Sequence, residues 1–184
     1  MKLYQIEPDL SDEKVAYIDD WEFTHWPQPE SEIIKNEDGS FSVALESNFV
    51  PLVRQLQNLF SSEEIPSEGT YIGEAVLIGS NKPKDLIEGD FINSRRGLFM
   101  SKKLLEIFRD HKLPNNVFFE VPLRKRRKVF DNYGYLFFPD SGDDYDTDVQ
   151  FVKEKKHSIL CVSDKLKDTI TKAGLEGCSF EEIK

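Results

Sequence analysis

The sequence predicts an α+β (mixed α/β) fold, a single domain over residues 1–184. A central sheet would receive two repeated strand–helix–strand units, with an additional helix packed alongside. Three observations predict this. Residues 98–121 and 160–183 align without gaps at an offset of 62 and are identical at seven of 24 positions. Unrelated stretches would share roughly one or two identities, so the pair reads as an internal repeat. Apolar residues recur at helical spacing inside each copy and again after Pro51, whereas short alternating runs elsewhere carry the period of strands.

Taken in order, Lys2 to Ile6 alternates and reads as a strand closed by Pro8-Asp9. Residues 9–39 read as an ordered polar-aromatic loop with a short strand near Val15–Ile18. Asp38-Gly39 signals a turn into a strand with Phe41, Val43 and Leu45 on one face. Pro51 suits the first turn of a helix reaching about Ser61, with Val53, Leu56, Leu59 and Phe60 at its apolar positions. Tyr71 to Ile78 reads as a buried strand in which Gly73 marks a bulge or close approach. Ser80 to Gly97 reads as a connector.

In each repeat an apolar run ends at a Ser, Ser101 or Ser163, whose hydroxyl can accept from the next turn's free N–H groups. Leu104, Leu105 and Phe108 then share a helical face, as do Leu166, Ile170 and Ala173. Gly174 suits a left-handed residue at the second helix's end, with Leu175 folding back on Ile170. Pro114 stops the first helix. Phe118 and Phe180 open the second strands, and a helix between two strands implies a right-handed crossover joining parallel neighbours. Between the copies, Val129 to Phe138 reads as one aromatic strand, and Gln150 to His157 leads into the second copy.

The tail ILCVSDKLKDTITKAGLEGCSFEEI resembles the C-terminal signature of a family of bacterial polymorphic-toxin immunity proteins. The matching positions are Val162, Ser163, Asp164, Leu166, Lys167, Ala173, Gly174, Leu175, Gly177, Phe180 and Glu181. GLFMSKKLLEIFRDHKLPNNVFFEV resembles that family's earlier element, and the N-terminal KLYQIEPD also fits. The resemblance covers about half of the chain, and its motifs are structural. It implies an immunity protein that binds and neutralises a cognate toxin, without catalysis or cofactor.

Bulk properties agree with a protein-binding role. The net charge is −10, which disfavours a nucleic-acid backbone and suits a basic partner. Acidity of this size also serves solubility alone. No stretch approaches a membrane span, and the N-terminus lacks a signal-peptide core, so a cytoplasmic location is expected.

The run Asp140–Asp148 holds the candidate partner-binding residues Asp140, Asp143, Asp144, Tyr145, Asp146 and Asp148. An acidic rim around an aromatic anchor suits a basic partner; a plain solvated loop is the alternative. Calcium spacing fails, because Val149 stands where the turn glycine belongs and Lys155 where the bidentate Glu belongs. Trp21 and Trp26, in the proline-rich stretch, form a second candidate surface. Arg124 to Lys128 reads as a solvated turn or edge that discourages strand aggregation.

Two other functions compete. A small enzyme would use Asp19, Asp20 and His25 beside Trp21 and Trp26; an adaptor or assembly domain would need no toxin. The three His are scattered, and neither metal-ligand spacing nor a phosphate-binding loop emerges. Ser101 and Ser163 lack the glycines of a nucleophile elbow and read as helix caps. Cys161 and Cys178 read as small buried hydrophobes.

Overall fold

The computed structural model describes residues 1–23, 31–35, 41–45, 68–69, 73–88, 97–139, 146–154 and 157–183. The architecture is mixed α+β. Two compact units divide the chain: Met1–Thr24 with Pro66–Lys184, and His25–Ile65. In the smaller unit, β3 (Ser31–Lys35) pairs antiparallel with β4 (Phe41–Leu45). The helix expected after Pro51 lies outside the described residues.

Among the described residues the larger unit holds three four-stranded sheets, where the sequence predicted one central sheet. The first contains β12 (Val149–Glu154), β13 (His157–Ser163), β1 (Leu3–Pro8) and β14 (Cys178–Glu182), in that order. The second contains β6 (Leu86–Ile87), β7 (Gly97–Ser101), β11 (Tyr133–Phe137) and β8 (Val117–Glu120). The third contains β10 (Lys128–Phe130), β9 (Leu123–Lys125), β5 (Gly73–Ile78) and β2 (Tyr17–Phe23). The two repeat stretches therefore feed separate sheets.

Helix α1 (Lys102–Arg109) joins β7 to β8, and α2 (Asp164–Lys172) joins β13 to β14. The expected pairing of parallel neighbours is not what forms. A third strand, antiparallel to both, lies between each pair: β11 between β7 and β8, β1 between β13 and β14. This is a split β-α-β arrangement. Antiparallel insertion satisfies both inner strand edges without a second long crossover.

Pairing proceeds in the same register in both sheets. Met100 and Glu120 both face Gly134, and Val162 and Glu182 both face Tyr4. Phe118 faces Leu136, as Phe180 faces Ile6. Leu86 faces Met100, as Val149 faces Val162.

One apolar cluster draws on both sheets and both helices. It includes Met100, Leu104, Phe108 and Phe118 from the first stretch, Val162, Leu166 and Ile170 from the second, and Leu136 and Ile6 from the middle strands β11 and β1. By strand alternation Phe99, Phe119, Tyr135 and Phe137 point to the opposite face of their sheet, and they are buried as well. Phe99 and Tyr135 rings lie 5.1 Å apart, within aromatic pairing distance. A sheet buried on both faces explains why the aromatic stretch reads as nearly continuous apolar sequence.

Several local readings shift. Asp19, Asp20 and Trp21 fall in β2 rather than a loop, and a register shift between Ile18 and Asp20 hides the alternation. The Val129–Phe138 run is two strands, β10 and β11. The Ser80–Gly97 connector contains β6.

Leu104 and Leu166 are fully buried at matching positions of the two helices. Each Leu→Ala substitution should cost about 2–5 kcal/mol of unfolding free energy in denaturant titration. Lys165→Ala, on an exposed helix position, should change it by less than about 0.5 kcal/mol.

Candidate functional site

The most concentrated polar chemistry of the described residues lies where the helices begin. Ser101 and Ser163 both precede their helices in extended backbone, and their Oγ atoms accept from Leu104 and Leu166 N–H at 3.2 and 3.1 Å. Each hydroxyl proton goes to a carboxylate. Ser101 donates to Asp85 Oδ1 at 2.6 Å, and Ser163 donates to Asp148 Oδ1 at 2.6 Å. These lengths belong to charge-assisted O–H···O⁻ bonds. Each Asp also accepts, through its backbone carbonyl, from its Ser N–H at 2.8 Å.

The second carboxylate oxygen reaches across to the other helix's exit loop. Asp85 Oδ2 accepts from Glu176 N–H, and Asp148 Oδ2 accepts from Lys112 N–H, both at 3.0 Å. The backbones return the bond: Asp85 N–H donates to Glu176 O at 2.9 Å and Asp148 N–H to Lys112 O at 2.7 Å. The helices themselves meet through His111. Its Nδ1–H donates to Ile107 O at 2.8 Å, and Nε2 lies 3.3 Å from Thr169 Oγ1.

Burial opposes the charge on Asp148, but donation from Ser163 and Lys112, with the nearby His111 and Lys165, outweighs it. The carboxyl is held below its ordinary value. Both hydroxyls of the Ser pair are therefore committed as caps and as donors to carboxylates that orient them. Each of these carboxylates also accepts a backbone N–H on its other oxygen.

The thiols are quiet as well. Desolvation pushes Cys161 up to about 11 and Cys178 up to about 12, so both stay protonated near neutral pH. Among the described residues, no group of three or more His, Cys, Asp or Glu is placed to hold a metal ion. Also among them, no helix is long and apolar enough to cross a membrane.

The predicted partner residues are split by the structure. Asp140, Asp143, Asp144, Tyr145 and Trp26 lie outside the described residues, as does His25. Asp146 is exposed and pairs with Lys112 Nζ. Asp148 is half-buried and taken up by the scaffold. Trp21 stands in β2, opposite Ala75. Asp19 is exposed beside the β2 irregularity.

The basic run forms a β-hairpin. Lys125 faces Lys128 across a two-residue turn, Arg126-Arg127. Arg124 pairs with Glu74 Oε2 at 3.2 Å, and Lys125 Nζ donates to Asn81 O at 2.6 Å. Arg126, Arg127 and Lys128 are exposed. Arg126 has φ 56°, where a side-chain-bearing residue costs roughly 1–2 kcal/mol over glycine. It is the one non-glycine residue with positive φ among those described.

Asp85 carried no functional expectation. Extending the repeat upstream could have found it, because Asp85-Leu86 and Asp148-Val149 stand before equivalent strands. Asp85 precedes its Ser by 16 residues and Asp148 by 15, so an ungapped alignment breaks there. No protein-family model and no curated protein sequence matches the chain.

Asp85→Ala and Asp148→Ala should each cost about 1–3 kcal/mol, because a buried Ser hydroxyl and a loop N–H lose their acceptor. The pH dependence has a defined sign. A carboxyl lowered on folding stabilises above its unfolded value, 3.8, and that contribution fades as pH falls through the native one. Unfolding midpoints of wild type and Asp148→Asn should therefore differ near pH 7 and converge below about pH 4.

Proposed function

We propose that this chain is an immunity protein that binds and neutralises a cognate bacterial toxin by surface complementarity, without catalysis. Support comes from how the residues of the resemblance are used. Ser163 caps α2, Leu166 and Val162 fill the core, and Phe180 packs against it. Gly174 and Gly177 hold φ of 66° and 89°, the left-handed backbone that closes the helix and its loop. The single observation carrying the proposal is that the signature's central residues build shape, and its polar centre, Ser163, is tied to a structural carboxylate. Recognition then falls to exposed loops and strand edges.

We also infer that the two stretches are copies of one motif. The first comprises β6, β7, α1, β8 and β11. The second comprises β12, β13, α2, β14 and β1, its middle strand coming from the N-terminal segment. A scaffold doubled in this way offers two sets of loops around one core. The Asp140–Asp148 run, with Tyr145, is the proposed toxin-facing surface; Asp146 is exposed, and Asp148 anchors the end of the run in the scaffold. A standard interface would bury about 800 Å² on each partner. Negative charge there would steer a basic toxin and raise its association rate.

The test is co-purification with the product of the neighbouring gene, followed by that product's activity with and without this chain. Stable complex and loss of activity are expected. Reversing Asp143, Asp144 and Asp146 to Lys should slow association by about tenfold or more and restore toxicity on co-expression. Unchanged protection would remove that run from the interface. A neighbour that neither binds nor is inhibited would contradict the toxin-neutralising role.

A further inference from the structure

We infer that the β9–β10 hairpin is a second interaction surface, which takes an acidic protein segment in extended conformation as an added strand beside β10. It rests on neither the acidic run nor a toxin partner. The first observation is charge. In a chain of net charge −10, Arg126, Arg127 and Lys128 stand exposed together, and neither Arg126 nor Arg127 has an ion-pair partner among the described residues. At physiological salt the screening length is about 8 Å, so a ligand at the hairpin meets chiefly the charges within that range.

The second observation is the edge. Among the described residues β10 pairs with β9 alone and ends its sheet. Residues flanking a two-residue hairpin turn exchange hydrogen bonds with each other, here Lys125 and Lys128. The next pair, Val129 with Arg124, then turns Val129's N–H and C=O toward the open side. Val129 is 50% exposed, one of three large hydrophobic residues so exposed among those described. An added strand would gain backbone bonds at Val129, apolar contact with its side chain, and carboxylate contacts at the turn.

Protection of the edge against aggregation needs cations but explains neither remaining feature. It would place charge, not valine, at the outward-facing position. Nor does it need an arginine in the left-handed position of the turn, where glycine or asparagine is favoured. Nucleic acid fits less well: three cations neutralise few phosphates, and the chain as a whole carries a net charge of −10.

The probe is an acetylated peptide of about seven residues alternating Glu and Val, titrated into the full chain by calorimetry or fluorescence anisotropy. Three comparisons accompany it: Arg126→Glu with Arg127→Glu, the same peptide N-methylated at alternate residues, and a single-stranded oligonucleotide of equal length. The inference expects saturable peptide binding, weakened about tenfold or more by the charge reversal and by N-methylation, with weaker oligonucleotide binding. Because N-methylation leaves the protein untouched, a misfolded variant cannot imitate that loss. Absence of peptide binding, indifference to N-methylation, or equal binding of the oligonucleotide would each overturn it.

Discussion

One carboxylate serving two places at once is the constraint on which the larger unit depends. Asp85 and Asp148 each sit opposite a helix-capping serine in the adjacent strand and fasten the exit loop of the other helix. A half-buried carboxylate is costly unless its lone pairs are filled, and here each oxygen of both groups has a donor. Removing one group would strand two donors, one in each half. The halves are therefore coupled by polar bonds as well as by the shared apolar cluster.

That coupling fixes what the strands can do. Ser101 and Ser163 end β7 and β13, so capping the helices also sets where β6 and β12 must pair. The middle strands complete the arrangement by different routes. β11 follows β8 closely in the chain, whereas β1 arrives from the opposite end to pair with β13 and β14. Closing so long a loop carries an entropic cost that its contacts must offset.

What the sequence disclosed follows from the range of the forces involved. Caps, the Leu104–Leu105–Phe108 and Leu166–Ile170 faces and the Gly174 terminus were legible because each depends on neighbours within about one turn, although Ala173, expected on the second face, is exposed. The antiparallel insertion of β11 and β1 was not, since nothing local to Leu3–Pro8 states which strands it joins. The β2 strand was hidden by a run of polar residues and by the irregularity at Asp19. Asp148 was read as part of an interaction loop because its sequence neighbours are acidic; only the fold brings Ser163 and Lys112 to it. Conversely, the turn in the basic run was visible from its position between strand-like segments, while the left-handed backbone of Arg126 was not.

Polar groups spent on architecture narrow how this molecule works. The serines, the two aspartates and His111 hold strands, loops and helices together, and desolvation raises both thiols well above neutral pH. Under the proposed function, recognition belongs to surfaces presented by this core, and the rigidity of the two exit loops is the most direct check on the account. Native-state hydrogen exchange of the Lys112 and Glu176 amides measures it. The account predicts that both loop amides exchange as slowly as the strand amides of β7 and β13, because opening either one breaks a carboxylate bond between the halves. Exchange of Lys112 and Glu176 at the rate of unstructured loops, with the strands still protected, would contradict it.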